Sequence, residues 1–583
     1  MRVRAASLVL AALVVGSVVA VDPDGLAPFG PLRWLTISTL GLAGAGLAWW
    51  RGRRRLDRRS TLLWIALLVL LTAAALVGDD VPTALLGEPT RHLGLFAWML
   101  FALLFCAGQQ LDASGVQVLA RASVVATAGI GVWSVWERIA GPPIDLAVET
   151  DRLTGPYGSA AVLGAACCLL VPVCCAVLVD RGEQRGWRSV AAVAATAGGW
   201  VLIESGSRAA WVGSAASVAV VVGLARPSRR ALLTSAAVVF ALVAVAAPRA
   251  AELTERAGGS TSRLDEWRVA TRVIADHPFI GVGPEGYRIA VSEGIDRTYE
   301  REHSRDLVLP DRAHSGPLDV SLSGGIAAAL AYLGLVVMVC VRAGRALGAA
   351  RRSPTLAGLA VGVIAYSVQQ LLLFPLAELD PLWWLFAGAI VAATDVRRVA
   401  APVTWARWPA AAALVCAPLA LAAGTLGVAA DRLAATALAE RDPEAAIDAA
   451  ERAVRLRPDD VRFRMVAAEV LSERGTLADV DEAIQHTRSA LDWSPNDPIA
   501  ADRHASLLID RAVITGDPAD VDRAVRAWRR LVERDPLRAR WQVQLGRAAA
   551  LDGDEATARR AWATAADLGS ETAVALLAGL DAR

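Results

Sequence analysis

The chain has 583 residues, of which 55% are hydrophobic and 20% are charged, and its mean hydropathy is +0.43. This composition excludes a disordered protein, a disulfide scaffold and a soluble single domain, because a water-soluble chain of this length could not bury so much apolar surface. The net charge of +1 gives no sign of a nucleic-acid-binding surface, and the absence of lysine excludes lysine-based chemistry. All seven cysteines lie in apolar segments, which indicates neither a disulfide framework nor a zinc site.

Apolar runs long enough to cross a membrane recur through the first 430 residues and predict about thirteen membrane helices. They lie near residues 5–21, 33–50, 61–78, 93–110, 117–137, 158–179, 189–204, 209–225, 231–247, 318–341, 356–374, 381–395 and 410–430. We interpret the first run as a membrane anchor rather than a signal peptide, because no convincing cleavage site precedes Asp22.

Clusters of arginines follow the second, sixth, eighth, tenth and twelfth runs, and every one of these runs is even-numbered. The positive-inside rule therefore predicts a multi-pass protein of the cytoplasmic (inner) membrane with its N-terminus in the cytoplasm. Thirteen spans then put everything after residue 430 outside. The stretch 248–317 is a long polar loop on the outer side, and long loops of this kind usually carry function.

From Asp431 the composition changes to alanine-rich, charged helix with internal repeats. Pro458, Pro495 and Pro536 close successive helices at spacings of 37 and 41 residues, and a further period near 34 is present. These features resemble tetratricopeptide repeats, which stack helix pairs into a solenoid that binds peptides or proteins. The alternative is a folded tail that only caps the membrane domain.

Three segments of the predicted outer side carry residues suited to chemistry. The first is the short turn 204–208, where Arg208 at a helix end either reaches the membrane interface or lines a polar cavity. The second is a helix in which Arg263 and Trp267 share one face, with Arg268 and Arg272 on the adjacent strip. For this helix in isolation, a solvated face is the better explanation of the arginines.

A glycine-rich turn follows that helix, with Gly281, Gly283 and Gly286 before Tyr287. No strand precedes it, so we reject a dinucleotide-binding interpretation. The third segment, 311–315, holds His314 at the outer mouth of the tenth predicted span. Nearby arginines are expected to lower the pKa of this histidine, which would keep it neutral and able to accept a proton. An ordinary hydrogen-bonded loop histidine is the alternative.

The order of these pieces resembles the O-antigen ligase/polymerase family of bacterial membrane glycosyltransferases. The segments that match its motifs, in the same order, are 87–94, 154–161, 206–211, 263–283 and 313–315. The resemblance covers roughly residues 60–395. The chain departs from the family pattern at Ser159, Ala161 and Ser323, which bears on the recognition of the acceptor or the sugar more than on the core mechanism.

The resemblance implies transfer of a glycan from a polyprenyl-diphosphate carrier, such as undecaprenyl diphosphate, to an acceptor hydroxyl at the outer face of the membrane. This would ligate or polymerise a cell-surface polysaccharide. His314 would accept the hydroxyl proton with inversion at the anomeric carbon, while Arg208 and Arg263 stabilise the diphosphate. The residues expected to bind substrate are Arg91, Trp267, Arg268, Arg272, Gly281, Gly283, Tyr287 and Ser315. Neither a metal nor another cofactor is expected.

Two other classes of function are open at this point. A transporter or flippase of a polyprenyl-linked glycan should show charged residues in the middle of helices and internally repeated halves. The sequence shows few such charges and no obvious repeat of its halves. A non-catalytic envelope scaffold would leave His314 and Arg208 dispensable. The expected partners are the lipid-linked glycan donor, a glycan or lipid acceptor, membrane lipids and a protein bound by the repeat region, but no nucleic acid.

The predicted fold class is all-α: a polytopic membrane helix bundle followed by an extracytoplasmic α-solenoid of tetratricopeptide-like helix pairs. The chain divides into an N-terminal membrane bundle (1–247), an extracytoplasmic catalytic loop (248–317), C-terminal membrane helices (318–430) and the repeat domain (431–583).

Overall fold

The computed structural model describes residues 3–51, 56–144, 152–225, 259–305, 310–348, 353–395 and 407–581. Within these ranges the chain is helical and has no strand, as predicted. The ninth predicted membrane run, the arginine clusters after the eighth and twelfth runs and the start of the predicted outer loop lie outside them. All seven cysteines are described, and all are free.

Long helices occupy the membrane part of the chain. Its first half contains α1 (Val3–Val19), α2 (Pro31–Arg51), α3 (Arg58–Val77), the short α4 (Val81–Leu86), α5 (Leu95–Gly108), α6 (Ala113–Ala140), α7 (Ala160–Val179), α8 (Arg185–Glu204) and α9 (Arg208–Ala225). The loop predicted to be extracytoplasmic and the second half contain α10 (Gly259–Asp276), α11 (Tyr287–Gly294), α12 (Arg297–His303), α13 (Gly316–Gly348), α14 (Pro354–Gln369), α15 (Asp380–Ala393) and α16 (Arg407–Ala439).

Every predicted membrane run except the ninth overlaps one of these helices, although the helices of the tenth and thirteenth runs extend well beyond the predicted ends, to Gly348 and Ala439. By length and composition, six described helices are suited to cross a membrane, and four shorter apolar helices accompany them. The number of spans, thirteen, stays a prediction. Two finer differences appear. α13 is broken by non-helical conformations at Gly324 and Gly325, and α16 runs on to Ala439, across the predicted boundary at 430.

Glycines let neighbouring membrane helices approach closely. A Cβ on Gly388 of α15 would collide with the carbonyl oxygen of Phe105 in α5, and one on Gly362 of α14 would collide with that of Leu169 in α7. Small residues at crossings allow helices to associate where lipid removes the usual hydrophobic driving force. The interior that results is close-packed, with Trp383 of α15 completely buried.

The two ends of the bundle differ. At one end, Arg342 of α13 pairs with Asp57 at 3.0 Å, and the Asp57 backbone N–H donates to Gln109 Oε1 at 2.9 Å. The described arginines that follow α2 and α7, together with those in the last turns of α13, belong to this end: Arg58, Arg59, Arg181, Arg185, Arg188, Arg342 and Arg345. Residues 310–315 lie at the opposite end, because α13 begins there.

The repeat domain consists of α17 (Pro443–Leu456), α18 (Val461–Arg474), α19 (Leu477–Trp493), α20 (Pro498–Thr515), α21 (Pro518–Arg534), α22 (Ala539–Leu551), α23 (Glu555–Asp567) and α24 (Glu571–Asp581). Asp442, Asp497 and Asp517 each cap a helix that begins with proline. The aspartate accepts free N–H groups of the first turn, and proline has no N–H to leave unpaired. These local signals explain why the repeats are recognisable in the sequence.

One edge of the repeat domain rests on loops at one end of the membrane domain. Aspartates at three successive junctions between repeats pair with arginines of the segment 288–305. The pairs are Asp497 with Arg288, Asp535 with Arg305, and Asp567 with both Arg297 and Arg301. The repeat domain therefore lies at the same end of the bundle as residues 310–315.

Candidate functional site

Arg208 is held at the start of α9 by a tight turn. Gly206 has a φ of +59°, a conformation strained for any residue with a side chain. The Ser207 carbonyl accepts the backbone N–H of Trp211 at 3.0 Å, and the Trp211 indole N–H donates to the Leu202 carbonyl at 2.8 Å. The Gly-Ser-Arg-x-x-Trp motif is therefore a rigid connection that fixes where Arg208 emerges.

Three arginines from separate segments converge near this turn. Arg152, in the loop before α7, donates from Nε to the Ser205 carbonyl at 2.8 Å, and Arg263 comes from α10. Burial lowers the pKa of both guanidinium groups. The charge of Glu266 opposes this effect at Arg263, and the charge of Arg208 lowers both pKa values further, so the three positive charges lie close together. Such a cluster is suited to an anionic ligand.

His314 faces Glu266. Its Nδ1 lies 3.2 Å from Glu266 Oε2, and 34% of the His314 side chain is exposed. Burial by itself lowers the pKa of His314. The contact with Glu266, the charge of Glu266 and that of Asp319 outweigh burial and the opposing charge of Arg263, so the pKa is raised above 6.5. The expectation of a lowered pKa was wrong: Arg263 does lower the pKa of His314, but the carboxylate in direct contact with the ring outweighs it.

The ring of Phe374 separates His314 from two further arginines. The centroids of the Phe374 and His314 rings are 5.3 Å apart, and the Cζ atoms of Arg91 and Arg312 lie 5.3 and 5.8 Å from the Phe374 centroid. Arg91 also pairs with Asp311 at 2.5 Å. The fold thus places Arg91, a predicted substrate-binding residue, and His314 against the same ring, that of Phe374.

The other predicted substrate-binding residues of α10 lie on different faces of that helix. Trp267 follows Arg263 by one turn, and its indole N–H is buried without a hydrogen-bond partner among the residues that the structure describes. Arg268 pairs with Asp265 at 2.5 Å, and Arg272 pairs with Asp296 at 2.7 Å. Helical periodicity turns Arg268 and Arg272 away from the face that meets His314. Their role in substrate binding stays a prediction that their position does not favour.

The glycine-rich turn packs against the protein itself. Gly281 and Gly283 have φ values of +72° and +86°, and a Cβ on Gly281 would collide with the Leu322 carbonyl. Glu285, in the same turn, pairs with the buried Arg312 at 2.5 Å. Backbone geometry is enough to explain the two glycines, so their predicted contact with substrate stays a prediction.

Tyr287 and Ser315 are both buried. Tyr287 belongs to an apolar cluster with Val269 and Val273 of α10, and its hydroxyl has no hydrogen-bond partner among the described residues. Ser315 donates its backbone N–H to Asp319. Both residues therefore support the site from inside the protein, and direct binding of substrate by either stays a prediction.

Three members of the site escaped prediction: Arg152, Phe374 and Asp319. Arg152 stands two residues before a segment that matches a family motif, and Phe374 is the last residue of a predicted membrane run, just before a proline. Asp319 offered the clearest signal, since an ionisable residue inside a predicted membrane run is usually functional.

Two groups of described residues bring three ligand-type atoms within 4.8 Å of one another: Asp265, Glu302 and His303 beside α10, and Glu451, Glu482 and His486 in the repeat domain. In the first group Asp265 is already paired with Arg268. Neither group includes His314, Arg208 or Arg263. Metal-independent chemistry stays a prediction.

Comparison with known families agrees with this architecture. Residues 191–333 match the family model described as O-antigen ligase, and this span includes Arg208, α10 and His314. This part of the chain is therefore similar to the O-antigen ligase family. Residues 432–498 and 519–571 match tetratricopeptide repeats. No curated protein matches the chain significantly. The resemblance inferred from the motifs is thus confirmed, and a role in membrane glycan ligation or polymerisation is supported.

Proposed function

We propose that this protein transfers a glycan from a polyprenyl-diphosphate carrier to an acceptor hydroxyl, in the ligation or polymerisation of a cell-surface polysaccharide. The observation that carries the proposal is the convergence of Arg152, Arg208 and Arg263 beside the pair formed by His314 and Glu266. A diphosphate leaving group requires several positive charges, and a hydroxyl nucleophile requires a base. The two requirements meet at one site.

The reaction follows from the roles of these groups. The acceptor oxygen attacks the anomeric carbon as the bond from that carbon to the phosphate oxygen breaks, so the configuration inverts. Nε2 of His314 takes the hydroxyl proton, and Glu266 beside Nδ1 favours the tautomer that leaves the Nε2 lone pair free. The electron pair of the broken bond stays on the diphosphate, whose charge Arg208 and Arg263 stabilise.

We assign the site to the outer face of the cytoplasmic membrane. The end of the bundle opposite His314 carries the arginines that follow α2 and α7 and those in the last turns of α13, and such an end is expected in the cytoplasm. The repeat domain, which rests on the same loops as the site, is then extracytoplasmic. Because repeats of this type form binding surfaces, a protein partner held there would stand close to the reaction.

The glycan profile of cells that lack the chain tests the proposal. Long chains should disappear with single units still attached if the protein is a polymerase, whereas unattached polymer should accumulate if it is a ligase. Lipid-linked oligosaccharide extracted from those cells should then be consumed by the purified protein in liposomes, with release of polyprenyl diphosphate. An unchanged profile together with no consumption of the extracted donor would refute the proposal.

A further inference from the structure

The carboxylate of Asp319 accepts hydrogen bonds from the turn that carries His314. Its Oδ1 accepts the backbone N–H of Ala313 at 2.9 Å, and its Oδ2 accepts that of Ser315 at 3.1 Å. The Asp319 N–H in turn donates to the Ser315 carbonyl at 2.8 Å. The residue is buried, with 5% of its surface exposed. One carboxylate therefore binds the backbone on both sides of His314.

His314 itself has a backbone conformation that residues with a side chain rarely adopt. Its φ is +53°, in the left-handed region, which persists only where the surroundings hold it. A left-handed residue turns the N–H groups on its two sides toward one point, and such a concavity binds an anion. The Asp319 carboxylate occupies that point, so it stabilises the conformation of the His314 backbone directly.

The segment that bears Asp319 is itself fixed to the rest of the site. The break at Gly324 and Gly325 separates residues 316–323 from the remainder of α13. The Leu322 carbonyl accepts the Val282 N–H at 2.7 Å, so this segment is tied to the glycine-rich turn that follows α10. Asp319 is thus held in a constant position relative to the helix of Arg263 and Glu266.

We propose that Asp319 is a positioning residue, which holds the left-handed turn at His314 and so directs the imidazole toward the acceptor hydroxyl. The inference rests on the proposed transfer reaction, because that reaction makes His314 the base. Asp319 touches no reacting atom. Its loss should slow turnover without weakening the binding of the donor, which is assigned to the arginine cluster.

The charge of Asp319 supplies a second, independent readout. Glu266 and Arg263 face His314 from α10, Asp319 faces it from α13, and Asp311 and Arg312 flank it on its own loop. Burial and Arg263 lower the pKa of His314, whereas Glu266 and Asp319 raise it. Replacing Asp319 by a neutral residue of the same shape should therefore lower that pKa.

The decisive variant is Asp319→Asn, which keeps the size of the side chain but offers one acceptor oxygen in place of two. We expect turnover of the extracted lipid-linked oligosaccharide to fall about a hundredfold, the effect of a misplaced catalytic group. Binding of undecaprenyl diphosphate, used as the probe, should be unchanged. Histidine-selective NMR of the resting protein should show a lower pKa for the signal that disappears in His314→Ala. Ser321→Ala is the matched control, because its hydroxyl bonds only within the segment 316–323.

Wild-type turnover in Asp319→Asn while His314→Ala is inactive would overturn this inference and leave the proposed function standing. A parallel loss of probe binding would also overturn it, since it would indicate general disruption of the site. Wild-type turnover in His314→Ala would instead contradict the proposed function. Should Asp319→Asn fail to fold, Asp319→Glu is the second variant, because it keeps the charge but displaces the carboxylate. Turnover of Asp319→Glu should fall while the pKa of His314 stays raised. Retained turnover would refute the positioning role.

Discussion

Nδ1 of His314 and Oε2 of Glu266, which belong to different segments of the outer loop, lie 3.2 Å apart. Glu266 stands on the same helix as Arg263, one turn further along. The pair therefore joins the proposed base to the cluster of arginines proposed to bind the diphosphate. It also raises the pKa of the imidazole, which leads to the first prediction.

Turnover should rise with pH through a pKa above 6.5, because His314 must be neutral to accept a proton and its pKa is raised. Glu266→Gln removes the carboxylate, so the pKa of His314 should fall. The pH at which turnover rises should then be lower. Profiles of turnover against pH for both proteins in liposomes measure this shift. An identical profile in the variant would mean that Glu266 does not control the charge of His314.

His314→Ala should reduce turnover by about two to four orders of magnitude, the usual effect of losing a general base. Binding of undecaprenyl diphosphate should change little, because the imidazole meets the acceptor rather than the donor. His277→Ala is the control, since His277 pairs with Glu293 at 2.8 Å and lies outside the site. Equal turnover in the two variants would reject His314 as the base.

Arg208→Ala and Arg263→Ala should each weaken the binding of undecaprenyl diphosphate about ten- to a hundredfold, because each removes a charge-assisted hydrogen-bond donor. Turnover should fall as well. Lysine at either position should restore only part of the activity, because an ammonium lacks the planar fork of the guanidinium. Arg452→Ala, in an exposed part of the repeat domain, is the control. Full activity in both alanine variants would argue against glycosyl transfer.

Arg305→Ala should destabilise the protein by about 3–5 kcal/mol, because it leaves two buried carboxylates without their partner. Arg305 is 1% exposed and pairs with Glu300 at 2.5 Å and with Asp535 of the repeat domain at 2.6 Å. Arg297→Ala is the comparison: its side chain is 64% exposed, so we expect a loss of about 0–1 kcal/mol. Denaturant unfolding in detergent measures both. Equal losses would contradict a buried contact between the two domains.

A membrane-impermeant maleimide should label Glu473→Cys in intact cells, whereas Arg185→Cys should react only after permeabilisation. Both positions are exposed, and they lie in the repeat domain and at the arginine-rich end of the bundle, respectively. The wild-type protein, which keeps its native cysteines, gives the background. The reverse pattern would invert the assigned topology and move the site to the cytoplasmic face.

The sequence by itself determined the features that depend on neighbours along the chain. The apolar run at 158–179 predicted α7 almost to the residue, because membrane length and hydropathy are local properties. The repeats were recognisable because aspartate and proline mark their helix starts locally. The candidate residues Arg208, Arg263 and His314 were likewise proposed from short patterns.

Only the tertiary structure decided what those residues contact. The shift in the pKa of His314 was predicted in the wrong direction, because arginines dominate its surroundings in sequence whereas Glu266 touches it in space. Asp319 and the pairing of Arg305 with Asp535 depend in the same way on how distant segments pack. Electrostatic and hydrogen-bond energies act over a few ångströms, so separation in space, not along the chain, determines which groups act together.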